Sequence, residues 1–299
     1  MRAFLEHPLE SWLWWSWVDL EGQSGLSNKS KYQRERWHLQ ALHKPEVLDE
    51  LAMGMVRRLA EVHPSARVQI ASVWVDHTPQ AVTTYVESPA DKSNRQVKCE
   101  LADLLVVSAV STNGRPVKLE DMKALLLQAK VTDVQAELDV AAQKSSSGRE
   151  RNLLECCNGP ISLWTGTGLV STLGTSKMGA RSSAGSCLGN YDLQTNNATP
   201  GLRKYSRYLT IPREAKLPVT PAYQTLWPTS RKVCTGNSYS FTDLLYGMMS
   251  PQNRNDIGCP VAGPDVPADW TRLISDLTRN YHKSVVNRFN KKPVRRLIE

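Results

Sequence analysis

The sequence predicts an α/β fold, and three features carry that reading. Residues 45–62 (PEVLDELAMGMVRRLAEV) have the apolar spacing of an amphipathic helix. Two short apolar runs, 99–107 and 124–131, read as buried strands. Residues 268–290 return to helical spacing towards the end of the chain.

Taken in order, residues 1–44 form an extension that is rich in tryptophan (Trp12, Trp14, Trp15, Trp17) and then basic (Lys29, Lys31, Arg34, Arg36). Aromatics packed on the domain body and an oligomer or partner surface both fit it. In the helix over 45–62, Pro45 suits the first turn, and Glu46, Asp49 and Glu50 lie near the positive end of the dipole. Leu48, Leu51, Met55, Leu59 and Val62 make its core face, and His63-Pro64 ends it. Residues 66–76 and 81–87 alternate as strands around a turn at 76–79, and 88–98 is polar and loop-like. The two apolar strands follow, separated by the turn residues Ser111-Thr112-Asn113-Gly114-Arg115-Pro116. Thr132 or Asp133 caps a helix over 134–144, Ser145-Ser146-Ser147-Gly148 stops it, and 151–157 (RNLLECC) is one more strand. The order is helix, strand or hairpin, strand, strand, helix, strand. From 158 to 265 Gly, Ser, Thr, Asn and Pro dominate, with a strand at 205–211 and a helix at 241–249. In the helix over 268–290, Trp270, Leu273, Ile274, Leu277, Tyr281 and Val285 share a face, and the tail 291–296 is basic.

A chain of 299 residues makes one large domain or two ordinary ones. With 40% hydrophobic and 22% charged residues, the composition is that of a soluble globular protein. The formal charge of +8 biases it mildly towards polyanions. The six cysteines show no CxxC spacing, which argues against zinc and for reduced core thiols. The six histidines make no HExxH or HxH group, and neither a Walker loop nor GxSxG is present. The apolar stretch 12–18 is too short to span a bilayer, so no membrane association and a cytoplasmic location are expected.

The two apolar runs carry polar residues where buried strands should have none: Asp103 in the first, Gln128 and Lys130 in the second. Burying such groups is costly unless they are paired or bind a metal. Residues i and i+2 of a strand share a face, so Gln128 and Lys130 point one way and Ala129 the other. Antiparallel pairing of the runs would bring Asp103 towards both.

This pattern resembles the PD-(D/E)XK, or restriction-endonuclease-like, nuclease superfamily, in its Gln-x-Lys form as in Mrr-like enzymes. The resemblance rests on Asp103, Gln128 and Lys130 and covers residues 45–160, with 161–299 an irregular C-terminal region ending in a helix and packed on that core. It implies an αβββαβ core with a mixed sheet and a Mg²⁺ or Mn²⁺ cofactor. Asp103 would be the first metal ligand, with the Gln128 side-chain carbonyl and the Ala129 backbone carbonyl adding oxygens. Lys130 would hold the attacking water or the scissile phosphate. Glu100, three residues before Asp103, would join only if the strand bends. A carboxylate from the first core helix, Glu50 ahead of Glu46, would complete the set.

The expected function is metal-dependent endonucleolytic cleavage of DNA, with bacterial restriction or anti-phage defence as a role the resemblance allows. The partners would be DNA and either a second copy or a defence-system protein. The alternative is a catalytically degenerate nuclease-fold subunit that binds nucleic acid or protein. Each residue also has a plain role: Asp103 a strand-start cap, Gln128 an internal hydrogen-bond donor, Lys130 a surface lysine at a strand end.

Overall fold

The computed structural model describes residues 39–40, 42–75, 78–86, 95–132, 146–165, 185–196, 198–212, 222–224, 239–249, 257–281 and 283–289. Most of the tryptophan-rich extension, the helix expected over 134–144 and the basic tail lie outside them.

The elements follow the chain as α1 (Pro45–Ala60), β1 (Arg67–Trp74), β2 (Gln80–Tyr85), β3 (Arg95–Glu100), β4 (Leu104–Ser111) and β5 (Met122–Thr132). Then come α2 (Ser146–Cys156), β6 (Ile161–Trp164), β7 (Cys187–Tyr191), β8 (Ser206–Pro212), β9 (Ala222–Gln224) and β10 (Tyr239–Ser240). The last are α3 (Phe241–Met249), β11 (Cys259–Pro260), α4 (Ala268–Asn280) and β12 (Lys283–Phe289). The protein is α/β, and its described residues make two sheets. The larger is mixed, in the order β10-β9-β8-β5-β4-β1-β12, with β11 also on β5. The smaller is β3-β2-β6-β7. Strands β1, β4 and β5 pair antiparallel, and β8 runs parallel to β5.

Strand alternation divides the core between the two faces of the large sheet. On one face Leu104, Val106, Leu125, Leu127 and Ala129 pack with Leu48, Leu51 and Met55 of α1 and Leu244, Leu245 and Met248 of α3. On the other, Leu105, Val107, Ala124 and Leu126 pack with Leu153 and Leu154 of α2, Trp270 and Leu273 of α4, and the small sheet.

Several elements differ from the sequence reading. The run 99–107 is not one strand: it breaks at Leu101-Ala102-Asp103, so that Glu100 ends β3 in the small sheet while β4 belongs to the large one. The strands before and after residues 76–79 are likewise in different sheets and make no hairpin. Residues 151–157 are helical through Cys156, because the serines and glycine read as a stop open α2. The strand expected at 205–211 is β8, Ser206–Pro212. The helix expected over 268–290 ends at Asn280, and the chain returns as β12 along the edge of β1. Its apolar face is real as far as Leu277; beyond it the β-branched Val285-Val286 pair sits opposite Ala71 and Ile70. The region after 160 supplies β8 to β12 of the large sheet, so that sheet is built from both halves of the chain.

Candidate metal and phosphate site

The site grows from the register of β4 and β5. Leu104 pairs with Leu127, and the Asp103 N–H donates to the Leu127 carbonyl at 2.9 Å. One step on, Asp103 faces Gln128, both on the α2 side of the sheet. Gln128 Nε2 donates to Asp103 Oδ2 at 2.7 Å, and the Ala129 N–H donates to the same oxygen at 2.6 Å. Both side chains are buried, Asp103 2% and Gln128 1% exposed, so these bonds offset the desolvation of the carboxylate. The N–H and C=O of a strand residue project to the same side, so the Ala129 carbonyl also faces the Asp103 edge. Gln128 has spent its nitrogen on Asp103. Its oxygen, Oε1, is buried and has no hydrogen-bond partner among the described residues. A buried amide oxygen in that state is an unmet acceptor, and acceptors are what a cation or a donor would satisfy.

Lys130, two residues on along the same face, reaches α2. Its Nζ lies 2.7 Å from Glu150 Oε2, with the lysine side chain 16% and the glutamate 7% exposed. The contact is a close ion pair rather than a well-aligned hydrogen bond. The β5–β8 register places Tyr208 beside Gln128 and Thr210 beside Lys130. Tyr208 donates to Glu155 Oε1 at 3.0 Å, and Arg151 Nε approaches Glu155 Oε2 at 3.7 Å. Burial, then the Glu155 carboxylate, holds the Tyr208 phenol well above its usual value. Burial, then the Glu150 charge, pushes the nearby Cys99 thiol up, while Arg149 and Lys130 pull it down. A polar seam thus runs beneath α2, towards the carboxyl end of β5 and along the neighbouring parallel strand β8.

The structure brings Asp103, Gln128, Ala129 and Lys130 together. It does not bring Glu50: that residue is exposed on α1, and α1 covers the opposite face of the sheet. Its neighbour Asp49 pairs with Arg288 of β12 instead. Glu46 is exposed on the same helix. Glu100 is held in the small sheet, opposite Gln80. The helix-borne carboxylates at the seam are Glu150, against Lys130, and Glu155, against Tyr208, and the sequence reading missed both. Acidic residues in a stretch read as a strand and its approach offered no signal.

Comparison with protein-family models, with curated proteins and with solved structures gave no match. Among the described residues no group of three or more His, Cys, Asp or Glu could hold a metal, and no helix is long and apolar enough to cross a membrane. What the Gln128 end of the seam would offer a cation is a mixed oxygen set: the Asp103 carboxylate, the Gln128 amide carbonyl and the Ala129 backbone carbonyl. Hard oxygens of this kind suit Mg²⁺ or Mn²⁺, which retain waters for their remaining positions.

Proposed function

We propose that this protein is a metal-dependent endonuclease acting on DNA. The observation that carries the reading is the buried Asp103–Gln128 pair with its unpartnered Oε1, followed on the same face by Lys130. Two further facts support it. With the strands of the small sheet set aside, the order α1, β1, β4, β5, α2, β8 is similar to the αβββαβ core of the PD-(D/E)XK superfamily. The +8 charge favours a polyanionic substrate.

In this reading Asp103, Gln128 Oε1 and the Ala129 carbonyl hold Mg²⁺ or Mn²⁺. When bound, such an ion supplies Lewis acidity and makes water a better nucleophile. Asp103 is oriented by its two donors, Gln128 Nε2 and the Ala129 N–H. Gln128 keeps the site one charge less anionic than a second carboxylate would. Lys130 places a positive charge where the scissile phosphate or the attacking water must sit. A role in restriction or anti-phage defence belongs to the same reading.

A second reading has one observation in its favour. The Lys130 ammonium is already paired with the Glu150 carboxylate. A catalytically degenerate subunit that binds nucleic acid or protein would have this arrangement. Plasmid cleavage with Mg²⁺, Mn²⁺ and chelator separates the two: the endonuclease nicks or linearises DNA only with the ion, and the degenerate subunit leaves it intact.

A further inference from the structure

We propose that Glu150 is a positioning residue, which fixes the Lys130 ammonium over the site through their ion pair; this rests on the endonuclease reading above. A lysine head on a four-carbon stem has many rotamers, and as a point charge it is useful only where it is held. Lys130 is anchored by a carboxylate from α2, 20 positions along the chain and 2.7 Å away in space. Burying both charges is a poor route to stability, because apolar residues of the same volume would serve as well or better. The pair is therefore explained by what it does to the lysine.

The helix is itself tied down. Glu155 accepts from Tyr208, which stands beside Gln128 in the β5–β8 register. Two carboxylates of α2 thus grip the neighbouring strands β5 and β8, one at Lys130 and one at Tyr208. Glu150 is held by a helix that cannot shift without breaking the second contact. The carboxylate does not touch the reacting atoms in this assignment; it acts through Lys130.

The test is a kcat and KM series on supercoiled plasmid with Mn²⁺, each variant first checked by thermal melt. Glu150→Gln keeps the shape and drops the charge, so kcat should fall about tenfold to a hundredfold, as small misplacements of a catalytic group do, with KM moving less than about threefold. Lys130→Arg and Glu150→Asp should each lower kcat. Together the longer cation and the shorter anion restore the span, so the double variant should exceed the product of the single losses. Should Glu150→Gln not fold, this pair decides alone. Unchanged kcat in Glu150→Gln, or a Lys130→Arg and Glu150→Asp pair whose losses simply multiply, overturns the inference and leaves the nuclease reading standing. Wild-type protein inert with Mg²⁺ and with Mn²⁺ overturns both.

Discussion

Gln128 meets Asp103 through its amide nitrogen, 2.7 Å from Oδ2, and so keeps its carbonyl oxygen for something else. A glutamate of the same length could not do this at neutral pH. It has no proton to donate when ionised, and two carboxylates would then share one hydrogen-bond distance. The glutamine is therefore not a weakened glutamate here, since it satisfies its neighbour and still presents an acceptor.

Gln128→Glu should accordingly destabilise the metal-free protein, by about 2–4 kcal/mol for a buried like-charge pair. The shared site has its carboxyl pKa raised by burial and by the neighbouring charge. The penalty thus grows as pH rises from about 4 and shrinks as pH falls, when a proton bridges the two groups. Added Mn²⁺ should raise the melting temperature more in the variant than in wild type, by mass action. Melts at pH 4.5 and 7.5, with and without Mn²⁺, check both parts. No metal-dependent rise in either protein would weigh heavily against the nuclease reading.

Asp103→Asn removes the charge at which two donors, Gln128 Nε2 and the Ala129 N–H, point, and leaves them at best a neutral amide oxygen. Stability should fall by about 1.5–3 kcal/mol, the range for hydrogen bonds to a charged group. Mn²⁺ affinity measured by calorimetry and metal-dependent cleavage should both be lost. Unchanged affinity would place any ion elsewhere.

Lys130→Ala should abolish cleavage and also destabilise the fold, because Glu150 is left buried without its cation. The expected cost is about 3 kcal/mol. Lys130→Met combined with Glu150→Met should recover the wild-type melting temperature or exceed it and remain inactive. Recovery of stability without activity separates the chemical role of the lysine from its packing. A double variant as unstable as Lys130→Ala would show that the pair does stabilise the fold.

Gly201→Ala tests the far end of α2. Gly201 has φ +84°, and a Cβ there would lie 2.5 Å from the Glu155 carbonyl carbon. Left-handed strain alone is worth about 1–2 kcal/mol, and the clash adds to it. A loss of at least about 2 kcal/mol is expected in urea melts. A neutral outcome would mean that the chain around residue 201 can move away from the helix.

Alkaline pH should weaken the protein through its buried thiols. Burial pushes Cys157 from the ordinary 9.0 up to about 12 and raises Cys99 further. The unfolded thiols ionise near pH 9 while the folded ones do not. Stability is thus fully present below pH 9 and falls as pH climbs from 9 towards 12, at up to about 1.4 kcal/mol per pH unit for each thiol. Melts between pH 8 and 10.5 should show this slope, and Cys157→Ala should reduce it.

What could be read in the chain was local. Leu48, Leu51, Met55 and Leu59 announce α1 because a helix repeats every few residues and buries one stripe. Asp103, Gln128 and Lys130 stood out for the same reason: a buried strand tolerates few polar side chains, so three on two adjacent apolar runs needed an account. Helix α3 fell where its pattern placed it, Phe241–Met249.

What only the tertiary structure decided were the matters that depend on remote partners. Helix patterning says which side of α1 is apolar, but not which face of the sheet that side will cover. That choice took Glu50 away from the site, and the crossover through α2 put Glu150 there. The strand after Tyr281 exists because β1 offered it an open edge, which no window of residues around Val285 contains. The break at Leu101-Ala102-Asp103 sends one apolar run into two sheets because each half finds its own partner, β2 for one and β1 and β5 for the other. Periodicity comes from backbone sterics and the burial of one face, which neighbouring residues determine. Pairing across the chain comes from burial and hydrogen bonding summed over the whole fold, and no short segment carries that sum.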